Sequence, residues 1–145
     1  MTSYAVGVDI IEIERVKKAL QRHQGRFLNR IYTPVEVAYC RGRAHELAAR
    51  FAAKEAVMKA LGTGARGLAW REIEVLPNRR GKPIVYLYGR ALERARQIGV
   101  GSIQVSLAHS RQLALASVVS VQKDSEDAAA SREWLLGRLK ERGLL

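Results

Sequence analysis

The chain has 145 residues and a mass of 16.2 kDa, and its 25 Lys and Arg against 14 Asp and Glu give a formal net charge of +11. This length fits one domain, and a hydrophobic content of 48% is sufficient for a core. No apolar run approaches the roughly 20 residues of a membrane span, and the N-terminus lacks the pattern of a signal peptide. The single cysteine excludes an internal disulfide framework and a cysteine-rich metal site. We therefore expect a cytoplasmic domain with an excess of positive charge.

The positive charge is concentrated in one part of the chain. Residues 1–122 hold 20 Lys and Arg against 9 Asp and Glu, a difference of +11, whereas residues 123–145 hold five of each. We therefore expect a folded domain over 1–122 and a C-terminal extension over 123–145, in which Trp134, Leu135 and Leu139 predict a helix. A basic domain attracts nucleic acid, phosphate-rich cofactors or an acidic protein, and a merely solvated basic surface is the alternative.

The N-terminal region predicts a strand followed by a helix. Residues 5–10 combine small and β-branched residues and predict a short strand. The pattern then becomes helical, with an apolar stripe of Ile13, Val16 and Leu20, and Gly25 is expected to end this helix. A second stripe of the same helix is basic and consists of Arg15, Lys18, Arg22 and Arg26.

Two further helices are marked by their capping residues. Thr33 and Glu36 have the spacing of a capping box, and Pro34 stands at the first helical position, so a helix is expected to begin here. Residues 45–61 are rich in Ala, Leu, Glu and Lys and give the strongest helix signal in the chain. Gly62 is expected to end that helix.

The second half of the chain predicts mostly strands. Residues 73–76 and 84–88 form a predicted hairpin, residues 91–99 a short helix, and residues 103–109 and 113–121 two more strands joined by a turn. Hairpin strands interspersed with helices, without a regular βαβ series, predict an α+β fold with a mostly antiparallel sheet and packed helices.

Two carboxylates occupy positions where a charge needs a partner. Asp9 lies inside the first strand and is open to three interpretations: a salt bridge to an arginine, a cap for the following helix, or a metal ligand. Glu55 is predicted to fall within an apolar stripe of the long helix, and an ordinary ion pair with Lys59 is its alternative. That stripe consists of Leu47, Ala48, Phe51, Ala52 and Met58. Two carboxylates with waters and phosphate oxygens are how Mg²⁺ is usually held, although the sequence alone does not place Asp9 beside Glu55.

Other residues have side chains that suit phosphate. Lys59 precedes a Gly-Thr-Gly turn at 62–64, where an ammonium and backbone N–H groups could meet phosphate, although these glycines need be no more than a helix cap. His109 and Ser110 at a strand end could bind phosphate or stack on a base, but they lack a third member for a catalytic triad. The three histidines do not have the spacing of zinc ligands.

Four segments in this order resemble the 4′-phosphopantetheinyl transferases: GVDIIEIERV at 7–16, FAAKEAVMKALGTG at 51–64, GKP at 81–83 and VSLAHS at 105–110. The resemblance covers roughly residues 4–121. It implies an α+β fold and an enzyme of lipid metabolism and fatty acid biosynthesis. This enzyme moves the 4′-phosphopantetheine arm of coenzyme A onto a serine of apo acyl carrier protein and releases adenosine 3′,5′-bisphosphate.

The resemblance is closest to the short type of the family, which is a homotrimer with its active sites between subunits. The length fits, and Ile11 stands where the longer type has an acid that is a third metal ligand. This type implies that His109 faces Asp9 and Glu55 of a neighbouring subunit. Residues 124–145 extend past its usual end, and we assign them no role.

The resemblance also implies a role for each matching residue. Asp9 and Glu55 match the two Mg²⁺-binding carboxylates, and Lys59 matches the lysine near the coenzyme A diphosphate. The implied coenzyme A contacts are Lys59, Gly62, Gly64, His109 and Ser110. The implied surface for acidic carrier protein is the basic stripe of Arg15, Lys18, Arg22 and Arg26.

These residue types suit the implied reaction. Attack by the serine on the β-phosphate builds negative charge, which Mg²⁺ and Lys59 can stabilise. Glu55, acting through a metal-bound water, is the candidate general base. Neither a membrane nor nucleic acid is expected as a partner.

Two other function classes are weighed against this one. A small basic nucleic-acid-binding domain fits the charge, but only 6% of the residues are aromatic and no stretch interleaves aromatics with Arg or Gly. A catalytically silent trimeric subunit that binds carrier protein is the third hypothesis, and the presence of Asp9, Glu55 and Lys59 counts against it.

Overall fold

The computed structural model describes residues 3–123 and 127–145. The elements in chain order are β1 (Ser3–Glu12), α1 (Ile13–Ile31), α2 (Pro34–Cys40), α3 (Ala44–Leu61), a 3-10 turn (Trp70–Glu72), β2 (Ile73–Pro77), β3 (Pro83–Leu87), α4 (Gly89–Gln97), β4 (Gln104–His109), β5 (Leu113–Gln122) and α5 (Ala128–Glu141). The predicted α+β class is confirmed. Within the described residues, no helix combines the length and the apolar character needed to cross a membrane.

The strands form two antiparallel sheets. In the larger sheet β5 lies between β1 and β4, and β1 pairs along its whole length with β5, from Ser3 opposite Gln122 to Glu12 opposite Leu113. The smaller sheet is the hairpin of β2 and β3. The predicted hairpins β2–β3 and β4–β5 are therefore confirmed, and the pairing of the two distant strands β1 and β5 was not predicted.

The long helix α3 packs across the inner face of the larger sheet. Both surfaces are built from small buried side chains, which include Ala52, Ala56, Ala60, Ala114 and Ala116. A Cβ atom at Gly7 of β1 would lie 1.9 Å from the backbone oxygen of Ala56 and 3.2 Å from the backbone nitrogen of Ala60. Strand and helix thus touch backbone to backbone, which only a glycine allows.

The side chains of α3 are buried on most sides of the helix, and the less buried ones include Phe51, Glu55 and Lys59, each four residues apart. Glu55 is thus half-buried, like Phe51 of the predicted apolar stripe one turn before it. Burial is not restricted to one stripe, because α3 contacts the sheet, α1, α2 and α4.

A buried ion pair joins α2 to α3. The Lys54 ammonium donates to Glu36 Oε1 at 2.6 Å and to the carbonyl oxygen of Ile73 at 2.6 Å, and both charged side chains are fully buried. Glu36 also accepts from the backbone N–H of Thr33 at 2.9 Å, as part of the predicted capping box, and from that of Val75 in β2 at 2.9 Å. Burial lowers the pKa of Lys54, and the Glu36 carboxylate opposes that shift. The network fixes α2, α3 and β2 to one another.

The basic helix α1 is longer than predicted. It reaches Ile31 rather than ending near Gly25, but the backbone at His23 is not helical, with φ −140° and ψ 38°. Gly25 therefore lies just beyond a kink and not at a terminus. Because Arg26 follows the kink and Arg22 precedes it, the four basic residues do not form one straight stripe.

The outer face of the larger sheet is apolar and exposed. Four side chains of β1 are each 55 to 64% exposed, and they are Tyr4, Val6, Val8 and Ile10. Three of them lie directly opposite exposed apolar residues of β5, and these residues are Val121, Val119 and Leu115. The result is a continuous apolar surface, which on a folded protein indicates a contact with another macromolecule.

Candidate active site

The close approach of β1 and α3 brings Asp9 and Lys59 together. The Lys59 ammonium donates to Asp9 Oδ1 at 3.0 Å and to the carbonyl oxygen of Val8 at 2.9 Å. The Asp9 side chain is 16% exposed and that of Lys59 is 51% exposed. Of the interpretations of Asp9, an ion pair is therefore present, but its partner is a lysine and not an arginine.

Glu55 lies one helical turn before Lys59 and shares the surroundings of Asp9. Burial raises the pKa of the Glu55 carboxyl, and the charge of Asp9 raises it further, whereas Lys59 lowers it. Asp9 is therefore close enough for its charge to act on Glu55. The cluster contains two carboxylates and one ammonium, which is bonded to Asp9, so it has an excess of negative charge when both carboxylates are ionised.

This cluster fits a divalent cation that is completed by other ligands. Two carboxylates are a usual protein contribution to Mg²⁺, whose remaining ligands are waters and phosphate oxygens. In the described part of the chain, no three or more His, Cys, Asp and Glu side chains group together as a complete metal site. The residues present therefore suit an ion that is shared with a phosphate-containing substrate.

The turn at residues 62–64 ends α3. Gly62 has φ +74°, its N–H donates to the carbonyl oxygen of Lys59 at 3.1 Å, and the N–H of Thr63 donates to that of Met58 at 3.2 Å. Both N–H groups are therefore engaged in capping the helix. Phosphate contacts at this point come more readily from side chains than from these two backbone groups.

A cavity of about 650 Å³ opens beside this turn, between the start of β1, the end of α3 and α4. Lys59 and Arg94 both line it, and Arg94 Nε donates to the carbonyl oxygen of Leu61 at 3.0 Å. Arg94 is a candidate that the sequence reasoning missed. Its only signal was a basic position on a short helix, and its relevance depends on α4 lying beside the end of α3.

His109 and Ser110 lie at the other end of α3. The His109 ring contacts the ring of His45, in the first turn of α3, with centroids 4.9 Å apart. Ser110 Oγ accepts from the backbone N–H groups of Gln112 and Leu113, and so shapes the turn to β5. Ten helical residues separate His45 from Glu55, which is about 15 Å along the axis. One subunit therefore does not bring His109 to the carboxylates.

The predicted carrier-protein surface is accessible. All four of its basic residues are exposed, and these are Arg15, Lys18, Arg22 and Arg26. A small cavity of about 150 Å³ adjoins Arg15, and its walls include Val16, Phe27 and Phe51. The surface thus combines exposed cations with an apolar recess.

The comparisons with known proteins agree with one another. The sequence profile described as the 4′-phosphopantetheinyl transferase superfamily matches residues 5–118. The holo-[acyl-carrier-protein] synthase of Moorella thermoacetica is 48% identical over 124 residues, covering 83% of this chain and 96% of that protein. That of Dehalococcoides mccartyi is 52% identical over 114 residues, covering 79% and 95%.

Solved structures resemble this chain in fold as well. The holo-[acyl-carrier-protein] synthase of Helicobacter pylori in complex with coenzyme A has a TM-score of 0.73 and 30% identity, covering 79% of this chain and 98% of that one. The corresponding protein of Bacillus anthracis, in complex with CoA (3′,5′-ADP), has a TM-score of 0.67 and 35% identity, covering 83% and 96%. Residues 5–118, which the family profile matches, contain the carboxylate cluster, the end of α3 and β4.

Proposed function

The chain belongs to the 4′-phosphopantetheinyl transferase superfamily, and we infer that it transfers the 4′-phosphopantetheine arm of coenzyme A to a serine of apo acyl carrier protein. The observation that carries this inference is the Asp9–Glu55–Lys59 cluster, in which side chains from the segments 7–16 and 51–64 come together. The other product is adenosine 3′,5′-bisphosphate. A cytoplasmic location and a role in fatty acid biosynthesis are part of the proposal.

The three side chains of the cluster are proposed to have different roles in the reaction. Asp9 and Glu55 would hold Mg²⁺, which when bound supplies charge neutralisation for the diphosphate of coenzyme A. Lys59 supplies a fixed ammonium beside the oxygens that become more negative as the phosphate is attacked. Glu55 is also the proposed general base for the proton of the attacking serine.

Coenzyme A is proposed to lie along α3, with its diphosphate at Lys59. The turn residues Gly62 and Gly64 shape the adjoining surface, and Arg94 adds a second cation at the cavity there. His109 and Ser110 are proposed to contact the nucleotide end. Since they lie far from Glu55 in the same subunit, they would serve the site of a neighbouring subunit.

The apolar outer face of the β1–β5–β4 sheet supports a homotrimer with active sites between subunits. A second copy is the occupant that fits, because an exposed apolar face is suited to burial against equivalent faces, and because the role proposed for His109 requires a neighbouring subunit. Replacing Val6 by Lys places a charge at the centre of the face and is expected to yield monomers in sedimentation and to abolish transfer. A trimer that persists in V6K would contradict this assembly.

The exposed basic residues of α1 are proposed to dock the acidic carrier protein. Reversing charge in Arg15→Glu and Arg22→Glu is expected to raise KM for carrier protein about tenfold or more while leaving KM for coenzyme A unchanged. Arg132→Glu on α5 makes the same charge change away from the site and serves as the control. Equal effects of the three substitutions would show that only net charge matters.

The experiment that tests the function is incubation with coenzyme A, Mg²⁺ and several apo carrier proteins, followed by intact mass measurement. A mass gain equal to the phosphopantetheine arm is expected, together with its loss in Asp9→Asn and Glu55→Gln but not in Glu133→Gln on α5. Full activity of both cluster variants would refute the metal assignment. Nucleic-acid binding at about 0.15 M salt without any labelling would instead favour the binding-domain alternative.

We propose that the chain divides into a transferase domain over 1–122 and an extension over 123–145. The same assay tests this division when it is applied to a chain that lacks residues 124–145. No residue of α5 is buried, which supports a separate extension. The family match over 5–118 points the same way.

A further inference from the structure

The ring of His109 packs against a second imidazole. His45, in the first turn of α3, presents its imidazole to that of His109 with 4.9 Å between centroids and 39° between ring planes. This spacing is within the range of favourable aromatic pairs. His109 itself is exposed at the end of β4, where its Nδ1 also lies 3.4 Å from the carbonyl oxygen of Ser110.

His45 is better anchored than His109. It belongs to α3, and its Nε2 lies 3.7 Å from Glu46 Oε1. Glu46 in turn accepts from Arg50 at 2.6 Å, and Arg50 is buried and donates to the carbonyl oxygen of Val75 at 2.9 Å. An exposed imidazole on a strand end thus rests on one that is carried by a helix of the core.

The pair lines an open cavity of about 390 Å³, whose walls also carry Lys17 and Arg111. Two imidazoles and two permanent cations form a wall suited to an anionic, aromatic ligand such as a nucleotide. The orientation of the His109 ring decides whether its outer edge can reach such a ligand.

We propose that His45 is a positioning residue that holds the His109 imidazole in the orientation that contacts the nucleotide end of coenzyme A. This inference rests on the proposed function and on the assignment of His109 to the nucleotide. His45 does not touch the reacting atoms, so its loss weakens binding of coenzyme A without slowing the chemical step. The effect is confined to coenzyme A and does not extend to the carrier protein.

The test compares His45→Ala, His45→Phe and His109→Ala with the unmodified chain. His45→Ala is expected to raise KM for coenzyme A about two- to tenfold with kcat and KM for carrier protein unchanged. His45→Phe keeps a ring at this position and is expected to restore KM to within about twofold of the unmodified value. Glu93→Ala, an exposed change on α4, is the surface control.

A double substitution separates positioning from general destabilisation. If His45 acts through His109, the variant with both rings removed has the same KM for coenzyme A as His109→Ala alone. Additive effects, or an unchanged KM in His45→Ala, would overturn the inference. Calorimetric Kd values for coenzyme A provide the same comparison without turnover. Absence of labelling by the unmodified chain would refute the proposed function, and absence of coenzyme A binding would overturn the inference as well.

Discussion

The substitution Gly7→Ala tests how the carboxylate cluster is held together. The added Cβ would lie 1.9 Å from the backbone oxygen of Ala56 and 2.8 Å from its carbonyl carbon. A carbon and an oxygen normally approach to about 3.3 Å, so β1 and α3 would have to separate locally by roughly 1.4 Å. Both sides of the contact are backbone, so no side-chain rotation can relieve it. Asp9 lies two residues along β1 and Glu55 one residue along α3, so they move apart as well.

Gly7→Ala is expected to lower both the stability and the activity of the protein. Overpacking of this kind costs about 1 to 3 kcal/mol, which for a chain of this size lowers Tm by roughly 2 to 12 °C. A displacement of about 1 Å at the reacting groups lowers kcat by about a hundredfold. We expect this loss at 25 °C, where circular dichroism shows the variant to be folded.

A matched substitution separates this effect from the general consequence of adding a methyl group. Gly137→Ala on α5 has nothing within 4 Å of the new Cβ and is expected to leave Tm and kcat unchanged or to raise Tm slightly. Should Gly7→Ala retain both the melting temperature and the kcat of the unmodified chain, the reasoning from close backbone contact would be refuted.

Three further outcomes are expected. Folding raises the pKa of Glu55 above its usual value of 4.5, so this group stabilises the fold most below pH 4.5 and loses that contribution as the pH rises through the raised pKa. Glu55→Gln should therefore raise Tm at pH 7 but not at pH 4. An equal shift of Tm at both pH values would contradict the assignment. Lys54→Met leaves the fully buried Glu36 carboxylate without its ammonium and should lower the free energy of unfolding by about 3 to 5 kcal/mol in a urea titration; a loss below about 1 kcal/mol would show that the pair contributes little. Deleting residues 124–145 keeps the hydrogen bond from the Lys123 N–H to the carbonyl oxygen of Gly99 and should leave KM and kcat in the transfer assay within about twofold of those of the full chain. A larger change would show that α5 belongs to the transferase domain.

The local elements were largely predictable because their signals are local. The capping box at Thr33 and Glu36, the glycine cap at Gly62 and the alternation of β5 are encoded within a few residues. The exception is the kink at His23, since the sequence places Gly25 where a terminus is expected and offers no sign that the chain resumes a helix. Helix boundaries depend on what packs next to them, which no local pattern reveals.

The site was predictable in its residues but not in its contacts. Asp9 and Glu55 stood out as acids among apolar neighbours, and the structure gives them a shared surrounding because Gly7 lets β1 reach α3. The burial of Glu36 and Lys54 and the nearness of Arg94 to the end of α3 could not be inferred, since each depends on elements far apart in the chain. For the same reason the apolar outer face could not be inferred, because it is formed by the pairing of β1 with β5.

The pairing of β1 with β5 also determines when the protein can fold. Ser3 Oγ donates to the carbonyl oxygen of Gln122, across a separation of 119 residues. β1 precedes β5 in the chain and therefore lacks its pairing strand until β5 has been made. Contacts of such high sequence separation slow folding, because the loop must close before the pairing is gained. Assembly of the sheet is thus a late, cooperative step, and an interrupted chain that lacks β5 would expose β1 as an edge open to aggregation.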